Sequence, residues 1–232
     1  NHKTGISFML LWLQKLLTPE EIGRLRKIGD QATFLDGGAT APELGRKGVK
    51  NNLELKMRSK QQTQVEEIVL TALNRNETFR TAAVPKHIQR PILSKYVTGM
   101  HYGTHIDNPV QRSPEPMRLD LSLTLFLSDP ESYAGGELVL DTGYGEKPVK
   151  LPAGDAMLYP TTMLHRVAEV TSGERLAAVT WVQSMVRDQA QRQILYDIAV
   201  STNWVNKVAP ETPEFHRLSN ARANLLRMWA TD

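Results

Sequence analysis

A chain of 232 residues, 41% hydrophobic and without cysteine, has room for one domain, or one domain and a small appendage, around a real core. The missing cysteines exclude disulfides, thiolate metal sites and cysteine nucleophiles. They also fit the reducing cytosol, so a cytoplasmic protein is expected. A formal net charge of +3, scattered along the chain, gives no basis for a nucleic-acid partner.

The apolar stretch 6–17 is interrupted by Gln14 and Lys15 and falls short of the ~20 residues that span a bilayer. No membrane association is expected. The stretch reads as a buried strand leading into a helix, with Asn1 to Gly5 a remnant ahead of a native start at Met9. Thr18, Pro19 and Glu21 have the spacing of an N-cap, a first helical position and the far side of a capping box. Ile22, Leu25 and Ile28 then recur at helical spacing. Gly37-Gly38 breaks the pattern, and residues 37–48 read as a loop, either a mobile lid or a plain connection. A second helix is predicted over 59–74, with Val65, Ile68, Val69, Ala72 and Leu73 on one face.

From about Ile92 the period changes to two. Leu119, Leu121, Leu123, Leu125 and Leu127 alternate with mostly polar neighbours, as in a strand with one buried face. Further strands are predicted over 137–140, 156–159, 166–171 and 176–186. Turn signals separate them at Asp129-Pro130, 141–145, 152–155 and 171–174. Short strands punctuated this often predict a sandwich or jelly roll, mainly β with flanking helices. Helical patterning returns over 188–200. Thr212-Pro213-Glu214 starts another helix, with Phe215, Leu218, Leu225 and Trp229 as its apolar positions. The expected organisation is an N-terminal strand and helices (1–91), a β core (92–187) and a C-terminal helical appendage (188–232). The apolar tail packs in cis or forms a homodimer interface.

Of six histidines, His2, His87, His101 and His216 lack a carboxylate at ligand spacing and read as surface or structurally satisfied side chains. His105-Ile106-Asp107 differs. On a strand, residues two apart point to the same face, so an imidazole and a carboxylate can grip one metal ion. The third ligand must come from elsewhere, and His165 is the only histidine between this pair and the C-terminal tail. Two histidines and a carboxylate are the facial triad that leaves positions open on non-haem Fe(II). Arg175 follows ten residues after His165, across the predicted turn 171–174. A hairpin of that length brings Arg175 beside the metal site, where a buried guanidinium has one natural use, a bidentate grip on a carboxylate. The bland alternative for Arg175 is a surface salt bridge with Glu169 or Glu174.

Tyr96-x-x-Gly99-x-x-Tyr102-x-x-His105-x-Asp107 resembles the prolyl-4-hydroxylase branch of the 2-oxoglutarate oxygenases. So do the run 118–128, Tyr133-Ala-Gly-Gly-Glu-Leu138, Tyr159-Pro160 and His165-Arg166-Val167. Val49-Lys-Asn-Asn-Leu53 and the helical tail look more narrowly like the bacterial PKHD-type hydroxylases, and the resemblance spans nearly the whole chain after Met9. It implies a double-stranded β-helix (jelly roll) with iron near one open end. The iron ligands would be His105, Asp107 and His165. Arg175 would hold the distal end of 2-oxoglutarate, and Tyr96 would reach the same cosubstrate. L-ascorbate is a further expected cofactor. The implied reaction converts 2-oxoglutarate to succinate and CO2 while hydroxylating a C–H bond. The substrate is a peptide side chain, a free amino acid or a small metabolite such as an iron chelator. Thr180 and Trp181 are candidates to line the pocket, and Asn51 and Asn52 to cover its mouth.

Other readings compete. A cupin-like isomerase or small-molecule binder would share the barrel and ligands but would not need Arg175. A zinc hydrolase could use the same triad, yet no His-Glu-x-x-His helix or adjoining general-base glutamate is present. A β-sandwich binding module leaves the joint occurrence of Tyr96, His105, Asp107, His165 and Arg175 unexplained. Gly143-Tyr144-Gly145 lacks the third glycine and following helix of a nucleotide site.

Overall fold

The computed structural model describes residues 10–112 and 115–231. Met9 and the residues before it, His2 among them, lie outside the described residues. In chain order the elements begin with β1 (Leu11–Leu13), α1 (Pro19–Gln31) and β2 (Phe34–Asp36). A turn of 3-10 helix (Gly37–Thr40), α2 (Pro42–Arg46), β3 (Lys50–Asn51) and β4 (Leu53–Leu55) follow. Next are α3 (Lys60–Arg75), α4 (Glu77–Ala83), β5 (Pro85–Ile88), β6 (Ile92–Val97) and β7 (His101–His105). The core continues with β8 (Val110–Gln111), β9 (Met117–Arg118), β10 (Leu121–Phe126), β11 (Tyr133–Gly135) and β12 (Leu138–Asp141). It ends with β13 (Glu146–Val149), β14 (Ala156–Pro160), β15 (His165–Val167) and β16 (Val170–Ser184), before α5 (Gln189–Val208) and α6 (Pro213–Trp229).

Apart from the two-stranded pair β8–β9, the strands form two facing antiparallel sheets. The larger runs β1-β14-β10-β16-β6-β4-β2, with β5 and β11 also paired to β16; the smaller runs β13-β12-β15-β7-β3. One apolar cluster, made of Phe126, Met157 and Tyr159 from the larger sheet and Leu138 and Leu140 from the smaller, joins their inner faces. The outer face of the larger sheet carries Leu93, Leu121, Leu123, Leu125, Leu158, Leu176 and Ala178. These pack on Leu25 and Ile28 of α1, Val65, Ile68, Val69 and Leu73 of α3, and Phe79 of α4. This is the mainly β, jelly-roll-like arrangement expected, with helices at both chain ends.

The predicted helix starts hold. Thr18 accepts from the Glu21 N–H, and the Glu21 side chain accepts from the Thr18 N–H. Ser59, Asp188 and Thr212 cap α3, α5 and α6 by accepting from the N–H groups of Gln62, Gln191 and Phe215, without the reciprocal bond. Other expectations need correction. The stretch 37–48 is not a plain loop but two short helices with Gly37 and Gly38 buried. The strand at 121–126 is buried on both faces, not one, because helices cover its leucines while Ser122, Thr124 and Phe126 face the small sheet. No hairpin turn occurs at 171–174. β16 runs unbroken from Val170 to Ser184, and the chain leaves the small sheet for the large one at Ala168 and Glu169. Gly173 (φ +76) lies inside that strand because β11 passes so close that a Cβ would sit 2.3 Å from the Ser132 oxygen. α5 runs on to Val208 instead of ending at residue 200. His87 lies on β5.

Candidate active site

β7 and β15 pair antiparallel with His105 opposite His165. The two imidazole rings therefore meet, with centroids 4.2 Å apart. Asp107 follows β7 and turns back to them: its Oδ1 is 3.9 Å from His105 Nε2 and its Oδ2 is 3.8 Å from His165 Nε2. The three offered ligand atoms lie within 4.8 Å of one another, the one such group among the described residues. Each Nδ1 faces a backbone carbonyl two residues back, at 2.9 Å for His105 to Gly103 and 3.0 Å for His165 to Met163. Those carbonyls can only accept, so Nδ1 carries the proton and both Nε2 lone pairs point at the shared centre. Burial, then the neighbouring His165, holds the His105 pKa well below the ordinary histidine range, which keeps the imidazole neutral and able to ligate.

The surroundings fix this geometry further. The Ser122 hydroxyl donates to Asp107 Oδ2 at 2.6 Å. Tyr102 stacks on His105 at 3.7 Å and 11°. Tyr102 lies three residues before His105, an odd separation that a straight strand would place on the other face. A register slip between β7 and β15 supplies the bend that brings Tyr102 round to His105. Tyr159 meets His165 edge-on at 5.2 Å. Burial, reinforced by the Asp107 charge, pushes both phenols above their ordinary range, so they remain neutral walls. Two imidazole Nε2 atoms and a carboxylate, with ligand atoms within 4.8 Å of one another, suit a divalent ion such as Fe(II).

Arg175 sits on the same inner face. It is 1% exposed, and its Nε and Nη2 have no hydrogen-bond partner. It makes no salt bridge with Glu169 or Glu174; Glu174 pairs with Lys95 instead. Aromatic rings surround its head: Tyr96 at 5.1 Å and Phe126 at 5.6 Å from Cζ. Tyr96 lies directly opposite Arg175 in the β6–β16 pairing. Burial raises the Tyr96 pKa to about 12, opposed by the Arg175 charge. Gly136 (φ +67) lets the chain pass the arginine stem, since a Cβ there would lie 3.1 Å from Arg175 Cδ. A desolvated, unpaired guanidinium is costly unless an anion completes it.

Other expectations about lining residues fare unevenly. Trp181 faces the interior opposite Ser122. Thr180 points the other way and donates to the Gln89 carbonyl, so it does not line the site. Asn51 is exposed, near the Gly99 carbonyl, whereas Asn52 is 2% exposed and faces inward. His87 and His216 are exposed, His216 near Glu211 at 3.5 Å, and His101 bonds to the Gly48 carbonyl. Sequence reasoning missed Ser122, although the leucine alternation places Ser122 and Thr124 on the face opposite the leucines. It also missed the buried Lys50–Glu54 pair at 2.6 Å, for which the chain carries no local signal.

The fold and the triad together define an oxygenase of the double-stranded β-helix type. A family model described as the 2OG-Fe(II) oxygenase superfamily matches residues 91–183, and one for the PKHD-type hydroxylase C-terminal domain matches 189–231. A PKHD-type hydroxylase of Xanthomonas campestris is 43% identical over 227 residues, covering 96% of this chain and 99% of that one. One from Gluconobacter oxydans is 42% identical, with the same coverage of both chains. The chain belongs to the PKHD-type hydroxylases: it is an Fe(II)- and 2-oxoglutarate-dependent oxygenase. Among solved structures, a Pseudomonas putida prolyl-4-hydroxylase superposes with TM-score 0.52 at 15% identity, covering 77% of this chain and 94% of its own. A Trichoplax adhaerens prolyl hydroxylase in complex with a hypoxia inducible factor peptide fragment gives 0.54 at 14%, covering 80% and 86%. These likenesses concern the fold. Among the described residues, no helix is long and apolar enough to cross a membrane.

Proposed function

We propose that His105, Asp107 and His165 hold the iron and that Arg175, assisted by Tyr96, holds the distal carboxylate of 2-oxoglutarate. The observation that carries this reading is the Arg175 guanidinium, 1% exposed and without a carboxylate partner, on the inner face that also holds the triad. Iron would supply the oxidising chemistry when bound, with 2-oxoglutarate as co-reductant and O2 as oxidant: one oxygen atom of O2 ends in succinate and the other in the hydroxylated substrate, and CO2 is released. The chain's own work is to ligate, orient and exclude water. The histidines present neutral Nε2 atoms, Ser122 steers Asp107, and Tyr96, Phe126 and Tyr159 keep the interior apolar. A cupin-like isomerase or small-molecule binder would have no use for the buried cation.

The substrate in this reading is a peptide side chain, a free amino acid or a small metabolite. L-ascorbate serves as an auxiliary reductant. The protein acts in the cytoplasm without a nucleic-acid or membrane partner, and the helical tail is the candidate homodimer surface. Division at 1–91, 92–187 and 188–232 belongs to the same proposal, supported by the bounds of the two family matches. The direct test is an anaerobic titration of metal-free protein with Fe(II) and 2-oxoglutarate, followed by the visible metal-to-ligand charge-transfer band. The band is expected at one equivalent of iron, and its loss in Arg175→Ala at the same cosubstrate level. Iron binding without any band would return the cupin-like alternative.

A further inference from the structure

Nε and Nη2 of Arg175 on the larger sheet, and Nδ2 of Asn52 just ahead of β4, are three buried nitrogen donors without a partner; Trp181 Nε1, farther along β16, is another. Buried donors are nearly always satisfied, so an orphan points to a group that completes it. Asn52 immediately precedes β4, which pairs with β6 as Leu53 with Lys95 and Glu54 with Ser94. Continued by one position, that register sets Asn52 opposite Tyr96, which is itself opposite Arg175. The three side chains thus form one row across adjacent strands. The Tyr96 hydroxyl feels both neighbours, since the Arg175 charge and the Asn52 amide each favour its ionised form against burial.

Gly37 holds the amide in place. Its N–H donates to the Asn52 carbonyl at 2.9 Å, and a Cβ on Gly37 would lie 2.1 Å from Asn52 Oδ1 and 2.8 Å from Cγ. The amide oxygen, which has no hydrogen-bond partner of its own, lies against the Gly37 backbone, and the amide also reaches the Tyr96 hydroxyl. Glu54, two residues on and so on the same face, would repel an anion if it were unpaired. Lys50 cancels it, donating to Glu54 Oε1 and to Thr40 Oγ1, each at 2.6 Å, and so ties the turn 37–40 to this wall. A carboxylate, with two oxygens and about four lone-pair directions, can accept from all three orphaned donors.

We propose that Asn52 is a further cosubstrate-binding residue. Its amide donates to the distal carboxylate of 2-oxoglutarate beside Arg175, and Gly37 must stay glycine because any side chain there displaces that amide. This rests on Arg175 being the cosubstrate anchor. The test is anaerobic calorimetry on the zinc-loaded full chain with two ligands, 2-oxoglutarate and 2-oxopentanoate. The second ends in a methyl group where the first has its distal carboxylate. Asn52→Ala should weaken 2-oxoglutarate about tenfold, the worth of one hydrogen bond to a charged group, and leave 2-oxopentanoate unchanged. Asn52→Asp keeps the size but sets carboxylate against carboxylate, so it should weaken 2-oxoglutarate more than alanine does. Gly37→Ala should follow Asn52→Ala. Equal losses for both ligands, or none, in folded Asn52 variants would overturn the proposal and make Asn52 a packing residue. Arg175→Ala separates the two readings. If it lowers the preference for 2-oxoglutarate while Asn52→Ala does not, Asn52 alone falls; if it too leaves the preference unchanged, the anchor reading falls with it.

Discussion

The metal end and the arginine end of the site are built on opposite plans. At the metal end each candidate ligand already has its partner: two Nδ1–carbonyl bonds, the Ser122–Asp107 bond and the Tyr102 stack orient all three. At the arginine end the cation is buried among rings and its donors are left open. The difference follows from what each end binds. A metal is gripped by lone pairs, so the protein can spend its N–H groups on backbone and still present acceptors. An anion is gripped by donors, so those donors must stay unpaired until it comes. Arg75 on the helical side shows the satisfied alternative, with both terminal nitrogens on the Glu21 carboxylate at 2.5 Å.

The largest break in this comparison should come from His165→Ala. Removing one of three ligands should abolish iron binding and turnover, read by metal content and succinate release; full activity would sink the triad. Zinc should occupy the same ligands in the native protein yet support no oxidation, because it has no redox chemistry. Arg175→Ala attacks the other end. The 2-oxoglutarate concentration needed for half-maximal turnover should rise well over tenfold, since a desolvated charge-assisted pair is worth a few kcal/mol and ~1.4 kcal/mol is a factor of ten. An unchanged requirement would mean that another group anchors the cosubstrate.

Ser122→Ala sharpens the metal end without removing a ligand. It should weaken iron affinity by about tenfold, the lower range for groups that orient a metal ligand, and an unaltered affinity would show that Asp107 is held by other means. The smallest effect belongs to the satisfied arginine. The Arg75 hydrogen bonds pull the Glu21 pKa from 4.5 to about 2. A carboxyl lowered on folding stabilises the native state above its unfolded pKa, and that contribution is lost as pH falls through the folded value. Arg75→Ala should therefore cost no more than about 1 kcal/mol at neutral pH, the ceiling for a partly exposed pair. It should also flatten the fall in stability between about pH 4.5 and pH 2. Acid unfolding curves that superpose for the two proteins would remove this pair from the ledger.

By itself the sequence determined the features that depend on local spacing or residue chemistry. Thr18 with Glu21 announces a helix start, because a capping box closes within four residues. The leucine alternation at 119–127 announces a strand. His105-x-Asp107 and the lone distant His165 name the candidate metal ligands, and Arg175 the candidate anion anchor, because so few other side chains can do that chemistry. What the tertiary structure alone decided are pairings that strand register and packing set. The expected hairpin at 171–174 became an unbroken strand because Gly173 lies against the passing β11, a contact no local pattern encodes. Burial of both faces of β10 followed from helices on one side and the second sheet on the other. Asn52 reads as a polar turn until strand register sets it in line with Tyr96 and Arg175, and Lys50 meets Glu54 inside the protein only because two β segments close over the turn 37–40. Register is a choice among many pairings of similar local quality, and it is settled by packing of the whole molecule.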